Sequence, residues 1–182
     1  MTKSMTGSFY LTETVTMTAL QGNGLRNQST VDLSAYVNVP TGQAIAIESV
    51  DFIIQRDTDF GGTVGSFLGA NGSVSTQLTD LNPGVALVRA DSQTLVASGS
   101  LSIDTVNNLA TETSDFFPDN FGPAALSEAF LVVNDTLYLT TGNDGFAVGT
   151  GDLYVTARIR CRVVKLSTKD WMAIAIQSTA EA

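Results

Sequence analysis

Apolar and polar residues alternate along most of this chain, most regularly in Asp152–Leu166. Leu153, Val155, Ala157, Ile159, Cys161 and Val163 take the odd positions, and Asp152, Tyr154, Thr156, Arg158, Arg160 and Arg162 take the even ones. Successive side chains of a strand point to opposite faces, so the pattern predicts a long strand with one face in a core. At roughly 3.3 Å per residue it would span about 40 Å. Its other face carries three arginines in line, about 7 Å apart. Like charges in line repel, so the ladder calls for acidic partners, either on a neighbouring strand or on another molecule.

The same period recurs upstream. Phe9, Leu11, Val15, Met17 and Ala19 alternate with Tyr10, Thr12, Thr14, Thr16 and Thr18, and Glu13 breaks the apolar face. GNGLRNQS reads as a loop before a short alternation at Val31, Leu33 and Ala35. From Gln43 to Arg56 the phase slips: Ile45 and Ile47 are odd, whereas Val50, Phe52 and Ile54 are even. A slip of one residue turns every later side chain to the other face unless a β-bulge near Glu48–Ser49 absorbs it. Residues 57–73 read as a Gly-rich loop. Shorter strands are predicted at Val74–Leu78, Val85–Ala90, Thr94–Ala97, Leu101–Thr105, Phe130–Val133 and Thr136–Thr140. Asn82-Pro83-Gly84 is the turn between the first two. Residues 107–128 and 142–151 read as long connections, the former holding Phe116, Phe117 and Phe121 between Pro118 and Pro123.

One helix is predicted, near the end. Ser167 stands three residues before Asp170, a pattern related to the capping box, and Trp171, Ile174 and Ala175 share a stripe that Met172 and Ile176 broaden. A helix over about 168–177 needs an apolar surface to lie on. About nine strands with no dividing linker predict an all-β protein: a single jelly-roll sandwich or barrel over residues 1–182, with a short C-terminal helix.

Composition narrows the chemistry. With no histidine and one cysteine, Ser–His–Asp, Cys–His and Cys-rich zinc sites are excluded, and so is an internal disulfide. Cys161 falls on the apolar side of its strand and is expected to be a buried thiol. The glycines of GGTVGSFLGANG lack the lysine of a phosphate-binding loop. Asp57 and Asp59 open a calcium-loop-like D-T-D-F-G-G, but Leu68 stands where that loop needs Glu; Asp57, Asp59 and Asp144 remain candidates for a looser cation site. Asn27, Asn71 and Asn134 begin N-x-S/T sequons, and Asn71 lies in the most open loop. No catalytic residues, cofactor or metal are therefore assigned, and an enzyme is not expected.

Net charge is −9 and unevenly placed. Residues 1–157 carry 4 basic and 16 acidic groups, whereas residues 158–182 carry 5 basic and 2 acidic. The acidic bulk argues against specific nucleic-acid binding. Three lysines against eighteen acids suit solubility in concentrated salt, the basis for expecting a halophilic setting. The first residues, MTKSMTGSFYL, hold no long apolar stretch, so a secretory signal is not expected, and no apolar run reaches the length of a membrane span.

The ending G-T-G-D-L-Y-V-T-A-R-I-R-C-R-V-V-K-L-S, a short Trp-bearing helix after it, and the acidic, lysine-poor composition resemble a known family. It is the smaller major capsid protein of icosahedral, membrane-containing viruses of halophilic archaea, the vertical single β-barrel lineage. The resemblance implies an upright jelly roll in the virion shell. It further implies assembly with copies of itself or with a larger sibling capsid protein, close to an internal membrane. Charge and aromaticity, not the family, select the interface candidates: Arg158, Arg160, Arg162, Lys165, Phe116, Phe117, Phe121 and Trp171. Two competing expectations stand: a β-sandwich binding module that recognises glycans or a receptor through loops 57–73 and 107–128, and an acid-dependent hydrolase on a β-scaffold, disfavoured because no spacing among the eighteen acids singles out a pair.

Overall fold

The computed structural model describes residues 3–59, 63–114 and 130–180. Its strands are β1 (Lys3–Ser4), β2 (Phe9–Met17), β3 (Arg26–Asp32), β4 (Gln43–Arg56), β5 (Gly72–Thr79), β6 (Leu95–Asp104), β7 (Leu109–Ser114), β8 (Phe130–Val132), β9 (Thr136–Asp144) and β10 (Leu153–Lys165). Two helices accompany them, α1 (Val64–Phe67) and α2 (Thr168–Ala180).

Two antiparallel sheets face each other. The first runs β2–β10–β4–β8, with β1 extending the β2 side along the far end of β10. The second runs β3–β9–β5–β6–β7. Set β1 and β7 aside, and eight strands remain. In chain order the first sheet then takes strands one, eight, three and six, and the second takes two, seven, four and five. That interleaving of two Greek keys is the jelly roll.

Alternation explains the layers. Val15, Ile45, Ile47, Val50, Ala157, Ile159 and Cys161 from the first sheet meet Val31, Leu78, Val96, Leu137 and Leu139 from the second in the main core. A second cluster, around Met17, Leu68, Val74, Ile103, Leu153 and Val155, fills the other end. Glu13, which breaks the pattern of β2, accepts a 2.7 Å hydrogen bond from Ser29 Oγ on β3, where the two sheets meet edge to edge. A third apolar cluster lies outside the sandwich. There α2 sets Trp171, Ile174 and Ala175 on Ala44, Ala46, Val133, Val164 and Leu166. Ser167 Oγ accepts from the Asp170 amide at 3.2 Å, so the predicted cap forms, and the helix runs to Ala180.

Several expectations are corrected. Residues 26–29, read as loop, begin β3, because β9 supplies a full ladder from Gly142 to Thr136. Val85–Ala90 forms no strand. Both edges of β5 are already taken by β6 and β9, and Val85 has a left-handed backbone (φ 56°) unsuited to a β-branched strand residue. The segment is held instead by the Gln77 carboxamide, which donates to Val88 O at 2.8 Å and accepts from Val88 N at 2.7 Å. Thr94–Ala97 and Leu101–Thr105 are one strand, β6, passing through Gly99. A Cβ there would stand 3.3 Å from the Phe52 ring, so the glycine marks close packing, not a break. Residues 109–114 of the expected connection form the edge strand β7, and residues 142–144 complete β9.

Candidate interface on the outer face of the first sheet

The phase slip in β4 is a bulge. Ser49 pairs with Arg160 and Ile47 with Cys161, leaving Glu48 as the extra residue. Two consecutive residues then share the outer side, which keeps Ile45 and Ile47 and, beyond them, Val50 in the core. Glu48 is only 1% exposed. Its carboxylate forms ion pairs with Arg160 and Arg162, whose Nε atoms lie 3.1 and 3.2 Å away, and accepts from Ser8 Oγ at 2.9 and 3.0 Å. The arginine ladder thus finds its first acidic partner on the neighbouring strand, and two of its three charges converge on one buried carboxylate.

Arg158 is different. It is exposed, faces Asp51 in register, and lies over the Tyr10 ring with its guanidinium carbon 5.1 Å from the centroid. Stacking on an aromatic face holds the guanidinium in place while its hydrogen-bonding edge stays available. Lys165, grouped with the arginines in sequence, is out of phase with them: it occupies an odd position at the strand end and is exposed there. Trp171 is half-buried in the outer cluster, and its indole N–H donates to Gln43 O at 3.4 Å. Phe116, Phe117 and Phe121 lie outside the described residues. The structure therefore brings Arg158, Arg160 and Arg162 together on one face, with Trp171 on the adjoining helix-covered patch. Glu48 and Ser8 are the members that the sequence reading missed. The available signal was a charged residue standing at a phase slip.

The acidic candidates separate. Asp144 is held by Arg26 Nη2 at 3.1 Å, whereas Asp57 and Asp59 line a cleft with Arg56, Gly151, Asp152 and Tyr154. The cleft, about 430 Å³, sits where β4 ends beside the start of β10. Asp57, Asp59 and Asp144 thus do not form one cation site, and among the described residues no group of three or more His, Cys, Asp or Glu could hold a metal. Of the sequons, Asn71 is exposed but occupied: its Oδ1 accepts from Thr105 N at 2.8 Å and Thr105 Oγ1 at 3.0 Å. Cys161 is a free, buried thiol, pushed up to about 12 by burial and, secondarily, by the Glu48 charge. No described helix is long and apolar enough to cross a membrane.

The fold and its outer face define the class as a jelly-roll sandwich with a helix laid on one sheet. No protein-family model matches the chain, and no curated protein matches it. Among solved structures it is similar to VP1 of Merkel cell polyomavirus in an unassembled pentamer (7% identity, 91% of this chain and 99% of that one, TM-score 0.45). It is also similar to VP1 of Trichodysplasia spinulosa-associated polyomavirus in complex with GM1 oligosaccharide (9%, 90% and 98%, 0.46). A third is Desmodium yellow mottle tymovirus (12%, 88% and 90%, 0.32). These neighbours are viral jelly-roll capsid proteins. With every TM-score below 0.5, the jelly-roll assignment rests on the strand order and not on these likenesses.

Proposed function

We propose that this chain is a virion building block, a major capsid protein whose work is done by its lateral surfaces and not by catalysis. The observation that carries the reading is the double-sided terminal helix. One side of α2 buries Trp171, Ile174 and Ala175 on the sheet, whereas Met172 (49%) and Ile176 (62%), one turn apart on the helix, remain open to solvent. A second apolar contact on such a helix fits a neighbouring subunit. The half-neutralised arginine face beside it adds charge, which sets partner choice and register more than raw affinity.

In this reading the whole chain is one jelly-roll unit, made in the host cytoplasm and assembled into the shell with its own copies or a larger sibling, above an internal membrane. Arg158, Arg160, Arg162, Lys165, Trp171 and the phenylalanines Phe116, Phe117 and Phe121 are its interface residues. Acidity with few lysines supports a halophilic host.

Light scattering of the purified protein across salt, alone and with candidate partner capsid proteins, tests this. Assembly into discrete multimers is the expected outcome. A strict monomer under every condition, together with saturable sugar binding, would replace it with the binding-module reading.

A further inference from the structure

Two apolar surfaces lie at the same end of the sandwich, on opposite sides of it. The first is the outer stripe of α2. Lys169, Met172 and Ile176 follow one another at spacings of three and four, so they share one side of the helix, and all three are exposed. The second is the connection from β5 to β6. There Pro83 to Val88 holds no polar side chain, forms no strand and exposes Val85 and Ala86. Thr76 and Leu78 are buried in the sandwich, so Gln77 between them points to the outer side of the second sheet. Its carboxamide holds Val88 there. α2 covers the outer side of the first sheet, and the β8–β9 turn ties both surfaces to one end. Val133 packs under the helix, and the Asn134 side chain next to it donates to Asp80 O at 3.1 Å, at the root of the connection. The Val85 backbone is unusual. This residue is 47% exposed and packs into none of the described apolar clusters, yet its φ of 56° strains a β-branched side chain. The turn is pinned on both sides of it, by the Gly84 amide bonded to Asn82 Oδ1 at 2.9 Å and by the Gln77 clamp.

We propose that upright copies of the chain associate head to tail, the Lys169–Met172–Ile176 stripe of one copy seated on the Val85–Ala86 turn of the next. This deepens the building-block reading, on which it rests, by naming the surface that receives the helix. A head-to-tail contact joins two different patches, and repeated rotation about one axis closes it into a ring. With that axis parallel to the long strands, every copy keeps the same way up, and the two patches must then stand at one height. Their shared end of the sandwich meets that condition, and their opposite sides leave each copy one helix to give and one turn to receive. Charge favours a second copy as the occupant. α2 belongs to the basic part of an acidic chain: residues 158–182 carry 5 basic and 2 acidic groups, and residues 1–157 carry 4 and 16. On the receiving connection Asp91 is 75% exposed and only loosely paired with Arg89, at 3.9 Å, so it is available to Lys169. Met172 suits such a contact, because its unbranched side chain adapts to an irregular turn surface. Holding that turn rigid before contact reduces the ordering that association requires.

Sedimentation velocity at about 1 M salt, where screening confines charge effects to about 3 Å, tests it with two variants, Met172→Asp and Val85→Asp. Both side chains are exposed, and thermal melts check the folding. Val85→Asp should melt no lower than wild type, because Asp tolerates a left-handed backbone better than Val. Wild type should form discrete oligomers larger than a dimer, and each variant alone should associate at least about tenfold more weakly. An equimolar mixture of the two variants should give a one-to-one dimer that grows no further, because Val85→Asp keeps an intact helix and Met172→Asp an intact turn. A Val85→Asp protein that assembles as wild type does, or a mixture that stays monomeric, would overturn the contact while leaving the building-block reading intact. A wild type that is monomeric alone but joins a partner capsid protein has the same effect. A monomer with every partner defeats both.

Discussion

Removing the Glu48 carboxylate is the sharpest perturbation of this fold. In Glu48→Ala, Arg162, whose side chain is only 13% exposed, loses this counter-charge, and Ser8 loses its acceptor. Breaking a buried ion pair by removing one partner costs about 3–5 kcal/mol. Arg160 adds little, because its side chain is 42% exposed and water can take over. The expected loss is therefore about 4 kcal/mol. With an unfolding entropy of about 2.1 cal/mol/K per residue over 182 residues, the melting temperature should fall by about 10 °C. Urea titration followed by circular dichroism reads the free energy directly. Arg162→Met in the Glu48→Ala background separates charge from packing. Once the carboxylate is gone, removing the Arg162 guanidinium as well should return about 2 kcal/mol, so that the two changes are far from additive. A Glu48→Ala loss below about 1 kcal/mol, or simple additivity in the double variant, would refute the view that the carboxylate neutralises the ladder. The same geometry warns against reversing all three arginines together. Glu at 160 or 162 would face Glu48 and damage the fold, so only Arg158 probes the surface cleanly.

Other consequences can be measured separately. Cys161 should resist thiol reagents in the native protein and react at once in denaturant, and rapid native labelling would contradict its burial. Its folded pKa lies above the unfolded 9.0, so the folded state binds more protons above pH 9 and stability falls with rising pH from about 9 to about 12; Cys161→Ala should remove that part of the slope. Gly99→Val should cost about 2 kcal/mol by overpacking against Phe52, with partial rescue by Phe52→Leu, whereas a neutral effect would show that the ring is free to move. Gln77→Ala should expose residues 85–90 to limited proteolysis with little change in global melting, and an unchanged cleavage rate would show that the carboxamide clamp is dispensable. Unfolding by urea should become harder between low and molar salt if the acidic surface is adapted to brine, and the reverse trend would end the halophilic expectation.

The chain's own alternation determined the strands β2, β4, β9 and β10, the inward side of each and the position of the bulge. A period of two leaves no choice of face once one side must be apolar. The cap at Ser167 and the apolar stripe of α2 were equally local and equally legible. Segments that rely on partners were not. The start of β3 and the edge strand β7 have little alternation of their own and become strands because β9 and β6 offer complete ladders. Val85–Ala90 is apolar enough for a strand, yet finds both edges of β5 occupied. The acidic candidates show the same limit. Spacing grouped Asp57 and Asp59 with Asp144, but folding gave Asp144 to Arg26 and brought Asp152 to the other two. Above all, sequence could place three arginines on one face without saying what answers them. Only the bulge, which turns Glu48 outward beneath Arg160 and Arg162, decided which of the three charges share a buried carboxylate and which, Arg158, stays exposed over Tyr10. Local pattern sets which way a side chain points, whereas the identity of its partner depends on strand order and register, which are properties of the whole sheet.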